Sequence, residues 1–190
     1  MLLLKSRPEI LFHKGVDPPK DLVKNDDWTN GSEQNFLLTP IQTFYENTNI
    51  FVTGGTGFLG VLLIEKLLIS CPGISKIYML LRTKKGKAVQ SRLDELLEDD
   101  VNIVFHCAAT VRFNETLRKA CFINVRGVRE VVKLAHQMPN LKSFIHVSTA
   151  YSNCIHNFIK EEIYPPPIDY NKLLNVVEAL PDDALEIITH

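Results

Sequence analysis

From Asn49 onward, compact apolar runs take turns with longer stretches of helical character. "NIFVT" (49–53), "KIYMLLR" (76–82), "VNIVFHCAA" (101–109) and "SFIHVSTA" (143–150) are rich in β-formers and are bounded by turn residues, so each predicts a strand. None alternates polar with apolar, the pattern expected of strands covered on both faces. "GVLLIEKLLIS" (60–70) is apolar almost all round and stops at "CPG", which predicts a buried helix. "AVQSRLDELLED" (88–99) gathers Leu93, Leu96 and Leu97 on one helical face. "NETLRKACFINVRGVREVVKLAHQM" (114–138) predicts a long helix with Asn114 as its N-cap. A short helix is predicted within "TPIQTFYEN" (39–47). Strands alternating with helices predict an α/β fold, a doubly wound parallel sheet with helices on both faces.

The two ends of the chain do not follow this rhythm. Residues 1–40 include "HKGVDPPKDLVKNDDWTNGSEQN", which is polar, carries Pro and Gly and has no sustained period, so this part predicts a flexible lead-in. Residues 41–190 then form one domain. After Ala150 the pattern fades into "YPPPID" (164–169), a rigid extended loop, and one or two short helices.

Composition narrows the picture without changing it. A chain of 190 residues has room for one sizeable core, and 45% apolar with 23% charged residues is ordinary for a globular protein. A net charge of −1 points to neither nucleic acid nor an anionic membrane as an obligatory partner. Cys71, Cys107, Cys121 and Cys154 are too far apart for a zinc pattern, so no metal is expected and the thiols read as reduced and mostly buried, as in an intracellular protein. "MLLLKSRPEI" is too short for the apolar core of a signal peptide, and no window approaches the roughly 18 apolar residues of a membrane helix.

The chemistry is concentrated in "TGGTGFLG" (53–60). Four glycines occupy seven positions between a strand and a helix, and they read both as GxxGxxG and as GxGxxG. In that context a glycine turn lets main chain approach a pyrophosphate, which a helix N-terminus then binds through free N–H groups. A tight turn with no ligand is the competing reading. A P-loop is excluded, because Val61 and Leu62 stand where Lys and Ser or Thr must follow Gly60. Arg82 lies 22 residues past Gly60 with no acid nearby, and Lys84, Lys85 and Lys87 follow it. A basic residue there suits the 2′-phosphate of NADPH better than the free 2′-hydroxyl of NADH.

Other candidates sit at strand ends, where open α/β sheets bind ligands. The hydroxyls of Ser148 and Thr149 are placed to hydrogen-bond a developing alkoxide or to cap local backbone. Asn124 falls on the apolar side of its helix, and as a buried amide there it either serves the site or braces a bend. His106 and His146, without further ligands at helical spacing, read as packed core histidines.

"TGGTGFLG", "VFHCAATVRFNETL", "NVRGVREVVKLA", "FIHVSTAYSN" and "EEIYPPPIDYNKLL" together resemble the N-terminal part of fatty acyl-CoA reductases, members of the extended short-chain dehydrogenase/reductases. The resemblance runs over residues 40–190. It implies a Rossmann fold and reduction of a long-chain acyl-CoA by NADPH to a primary fatty alcohol. It further implies cofactor contacts from Thr53, Gly54, Gly55, Thr56, Gly57, Phe58, Leu59, Gly60, Arg82, Cys107, Ala108 and Ala109. Ser148, Thr149 and Asn124 take the catalytic positions. The family's members are intracellular, at peroxisomal or endoplasmic reticulum membranes. Nucleotide-sugar epimerases or dehydratases and a non-catalytic dinucleotide-binding module are the alternatives.

The resemblance also exposes two gaps. None of the five tyrosines has Lys four positions later, so the superfamily's Tyr-x-x-x-Lys acid is absent and the chain stops just before the region that carries it. Near Asp100–Val101 several tens of residues, including a strand and a crossover helix, have no counterpart. The expected result is an incomplete sheet, with the strand at 76–82 left as an open edge.

Overall fold

The structure, a computed structural model, describes residues 2–5, 38–80 and 100–189. The expectations for Arg82, Lys84, Lys85, Lys87 and the helix at 88–99 therefore lie outside the described residues. Five strands form one sheet: β1 (Leu2–Lys5), β2 (Asn49–Thr53), β3 (Lys76–Leu80), β4 (Ile103–His106) and β5 (Ser143–His146). Their order is β1-β3-β2-β4-β5, and β2 through β5 are parallel. The doubly wound α/β sheet is thus present in four parallel strands.

The strands lack polar alternation because both faces are covered. On one face Ile50, Val52, Ile77, Met79, Ile103 and Phe105 pack against Ile64 and Leu67 of α2 (Phe58–Ser70). On the other, Phe51, Tyr78 and Val104 meet Met138, Val131 and Leu134, the last two from the helix that precedes β5. The expectation of a buried α2 holds for one side of the helix and not the other. Only Gly60, Ile64 and Leu67 are buried, and Phe58, Leu59, Val61, Leu62 and Ile69 remain exposed on the outward side. An apolar helix has no sidedness to conceal, but a sheet covers only one side of it.

The short helix α1 (Pro40–Tyr45) starts at a capping box, with Thr39 and Gln42 each binding the other's backbone N–H. The long helix begins at Leu117 rather than at 114. Its N-cap is Thr116, whose hydroxyl accepts from Lys119 N–H, while Asn114 lies in the preceding turn. It is also not regular: α3 (Leu117–Cys121) passes through one π-helical stretch, Phe122–Arg126, into α4 (Gly127–Ala135). Two C-terminal helices, α5 (Tyr170–Ala179) and α6 (Asp182–Thr189), pack on α3 through Cys121, Leu174, Val177 and Leu185. Arg118 reinforces this contact, donating to the carbonyls of Val177 and Leu180 at the end of α5 and to Asp182.

The outer edge of β3 is not open. β1 pairs with it antiparallel, Leu2 opposite Met79 and Lys5 opposite Lys76. Four residues assigned by sequence to a flexible lead-in therefore cover the edge that the missing strand was expected to expose.

Candidate functional site

Thr53, His106 and His146 end β2, β4 and β5 in register, with Thr53 opposite His106 and His106 opposite His146. The chain leaves all three strands at the same end of the sheet. Three segments meet there: Gly54–Gly57 after β2, Cys107–Ala109 after β4 and Val147–Thr149 after β5. This is the carboxyl end at which open parallel sheets bind ligands.

The glycine turn is built from the inside. Gly54 has φ +71°, and a Cβ on it would lie 2.7 Å from the Ala108 nitrogen and 2.7 Å from the Cys107 carbonyl carbon. Its small size lets the first two segments touch. A Cβ on Gly55 would meet Met79 Cε at 2.7 Å, and one on Gly60 would run into the Gly54 carbonyl. Gly57 differs, since its nearest neighbour would be the Gly54 oxygen at 3.3 Å. The four glycines therefore do different work in the turn. Three glycines close the turn, and Gly57 alone of the four opens outward.

Gly57 is also the N-cap of α2, and no side chain caps the helix. The first helical hydrogen bond runs from Val61 N–H to the Gly57 carbonyl at 2.9 Å, so the N–H groups of Phe58, Leu59 and Gly60 have no acceptor within the helix. No acid occupies the first turn. Uncapped donors, the positive end of a 13-residue helix and a cap without Cβ make a cradle that fits a pyrophosphate. Thr56, Phe58 and Leu59 are exposed around it.

Thr53 is not at the surface. It is 1% exposed, and its hydroxyl meets His106 Nδ1 at 2.5 Å and accepts from Ala108 N–H at 3.3 Å. His106 is packed in the core as expected, with burial first and then neighbouring His146 lowering its pKa. His146 is exposed, stacked on His106 with ring centroids 5.2 Å apart, so it is a rim residue and not a core one. Cys107 is half-buried, and burial raises its thiol pKa. All four cysteines are free.

Asn124 is exposed, contrary to its expected burial, yet neither end of its amide is idle. Oδ1 accepts from Thr110 N–H at 2.8 Å and Nδ2 donates to the Thr110 carbonyl at 3.0 Å. It lies within the π-helical stretch and clamps the loop that follows Ala109, the bracing alternative of the sequence reading. Thr149 N-caps the 3₁₀ turn Ala150–Asn153, accepting from Tyr151 N–H at 3.2 Å. Ser148 is exposed, and its hydroxyl has no partner among the described residues. Tyr151 is 72% exposed on that 3₁₀ turn, with no lysine four residues on. Sequence reasoning missed the pairing of Thr53 with His106, because two strand-final residues become neighbours only once the strand register is known.

Comparison with known proteins agrees with this geometry. A family model of an NAD-binding domain, described as male sterility protein, matches residues 52–101 and 94–186. Fatty acyl-CoA reductase 1 of Rattus norvegicus is 39% identical over 193 residues, covering 80% of this chain and 38% of that protein. Human fatty acyl-CoA reductase 2 is 36% identical over the same shares. The chain thus spans well under half the length of these relatives. An alignment of 193 positions that uses 80% of a 190-residue chain leaves about 40 positions with no residue here, and the two family-model segments meet near residue 100. Among solved structures, the chain is similar to a thiolation-reductase di-domain from an archaeal non-ribosomal peptide synthetase. That likeness has 21% identity and a TM-score of 0.48, over 80% of this chain and 52% of that one. Among the described residues no helix is long and apolar enough to cross a membrane. The family model over residues 52–186 and the 39% identity to fatty acyl-CoA reductase 1 lead to one assignment: the chain belongs to the male sterility protein family and is a relative of the fatty acyl-CoA reductases.

Proposed function

We propose that this chain is the coenzyme-holding part of an NADPH-dependent fatty acyl-CoA reductase, a reading carried by the uncapped N-terminus of α2 at the glycine turn. The N–H groups of Phe58, Leu59 and Gly60 take the pyrophosphate, and Gly57 leaves room for it. The Cys107–Ala109 segment forms the adjoining wall, held against the turn at Gly54. The basic run from Arg82 to Lys87 favours NADPH over NADH. When bound, NADPH would supply one hydride to a thioester carbonyl, and after the CoA thiolate departs a second NADPH would supply another to the resulting aldehyde. Ser148 presents a free exposed hydroxyl at the end of β5 for the carbonyl oxygen. Thr149 Oγ1 already accepts from Tyr151 N–H as a cap and keeps its O–H to donate, so both hydroxyls are candidates for this role. Asn124 holds the 107–110 loop and is assigned a bracing role.

No Tyr-x-x-x-Lys is present in these 190 residues, so the chain alone holds coenzyme without turning it over. The test is fluorescence titration of the purified chain with NADPH and NADH, together with NADPH oxidation in the presence of long-chain acyl-CoA. Saturable binding with NADPH preferred, and no oxidation, is the expected result. Failure to bind either dinucleotide refutes the proposal, and turnover near that of a full-length relative refutes the assignment as a holding module.

A further inference from the structure

We propose that Thr53 and His106 form a buried latch that sets the spacing between the two turns of the coenzyme site, which makes His106 a positioning residue for dinucleotide binding. The inference rests on the function proposed above.

The latch spans both turns at their roots. Thr53 is the last residue of β2 and His106 the last of β4, paired in register and 1% and 2% exposed. The Thr53 hydroxyl touches His106 Nδ1 at 2.5 Å and Ala108 N–H at 3.3 Å, while Cys107 N–H donates to the Thr53 carbonyl at 3.1 Å. One residue later, Gly54 presses on the backbone of Cys107 and Ala108 with no room for a methyl group. The glycine turn therefore follows any movement of the 107–108 segment. Three hydrogen bonds centred on Thr53 fix that distance before the chain reaches the helix whose N–H groups meet the ligand.

His106 performs this work at a cost that plain packing would not incur. Its Nε2 is buried without a hydrogen-bond partner, and its ring stacks on His146 at 25°. An apolar ring there would leave no orphaned nitrogen. A second proton on this ring would lack an acceptor at Nε2, so burial favours the neutral imidazole. Either tautomer closes it: Nδ1–H donates to the hydroxyl, or the hydroxyl donates to bare Nδ1.

The test compares Thr53→Val, which keeps the shape and loses the hydroxyl, with Thr53→Ser, which keeps the hydroxyl. His106→Asn is the second variant, to be used if Thr53→Val does not fold. In the 190-residue chain, NADPH affinity is read by fluorescence and amide exchange by mass spectrometry or NMR. Thr53→Val is expected to weaken NADPH binding about tenfold and to speed exchange at Ala108 and Leu59, with Thr53→Ser within about twofold of the parent. A Thr53→Val protein that is less stable yet binds NADPH normally overturns the latch, because the pair then only packs. If the parent chain binds no dinucleotide, the function proposal fails by itself. The latch is then judged by exchange: faster Ala108 and Leu59 in Thr53→Val than in Thr53→Ser sustains it, and a uniform change across the sheet overturns it.

Discussion

Replacing Gly54 and Gly57 by alanine, one at a time, separates the glycine that builds the turn from the one that faces the ligand. At Gly54 an alanine meets two penalties. Its φ of +71° is a left-handed conformation, which costs an L-residue about 1–2 kcal/mol. Its Cβ would stand 2.7–2.8 Å from the backbone of Cys107 and Ala108, about 0.6 Å inside ordinary contact, and these are main-chain atoms that cannot rotate away. Overpacking of that kind adds about 1–3 kcal/mol. The total, about 2–5 kcal/mol, is a large part of the roughly 5–15 kcal/mol that holds a domain folded.

At Gly57 the conformational penalty is absent and the packing penalty is small. Its φ is −80° and ψ 169°, open to any residue, and the nearest atom to an added Cβ lies at 3.3 Å. Loss of a favourable N-cap glycine costs at most about 1 kcal/mol. The new methyl does, however, stand at the mouth of the helix where the pyrophosphate must approach. Displacing one charge-assisted hydrogen bond, worth about 1.5–3 kcal/mol, weakens binding tenfold or more. Urea unfolding followed by circular dichroism, with NADPH titration on each folded variant, reads both effects. Gly54→Ala should lose stability first, and Gly57→Ala affinity first. An unchanged urea midpoint for Gly54→Ala, or parental NADPH affinity in Gly57→Ala, refutes this division of roles.

Further expectations follow from other contacts. Arg118→Ala removes three donors from the α5–α6 junction and should cost about 1.5–3 kcal/mol locally, seen as faster amide exchange in α5 and α6 with the strands unaffected; Asp182→Asn should do far less, since Asp182 is 77% exposed. Folding lowers the pKa of His106 below its ordinary 6.5, so stability is full above about 6.5, declines as the pH falls toward the lowered folded value and then levels off. Urea midpoints of the parent from pH 7.5 to 5 should show that decline, and His106→Asn a flatter profile. Asn124→Ala should speed exchange at Thr110 and loosen the 107–110 loop at a global cost of about 1 kcal/mol, while Asn124→Asp keeps the acceptor for Thr110 N–H and retains part of the effect.

Much of the fold was legible because its strands are buried on both faces. "NIFVT" coincides with Asn49–Thr53, the strand at 76–82 is present over its described residues 76–80, and the strands predicted at 101–109 and 143–150 are present but shorter. β4 and β5 end at His106 and His146, whereas the small residues of "CAA" and "VSTA" prolonged the apolar run into what are site loops. An apolar composition does not distinguish a strand from a loop packed at its tip. Asn124 failed for a different reason. Asn124 lies four residues from both Ala120 and Val128 and shares their face at 3.6 residues per turn, but the π-helical stretch Phe122–Arg126 has more residues per turn, which shifts the faces and leaves Asn124 turned to Thr110. β1 was not legible, because its four residues lie more than 70 positions from β3, the strand they pair with.

The strand ends and the glycine turn of the candidate site come together although the matched region of the relatives is about 40 positions longer than its counterpart here, and the reason lies at the opposite end of the sheet. Where the two family-model segments meet, Asp100 takes a φ of +25° and the chain turns directly into β4. Asn102 Oδ1 accepts from Asn49 N–H at 2.9 Å, Asn102 N–H donates to the Asn49 carbonyl at 2.9 Å, and Asn140 Nδ2 donates to Asp100 at 2.8 Å. These bonds tie the start of β4 to the starts of β2 and β5, and they set Ile50 opposite Ile103. With parallel strands, register fixed at the amino ends is register fixed at the carboxyl ends, and so Thr53 arrives opposite His106. What the pyrophosphate cradle requires is β2 beside β4 and α2 rising from the turn between them. A deficit at the outer edge of the sheet, where β1 now pairs with β3, leaves both requirements met.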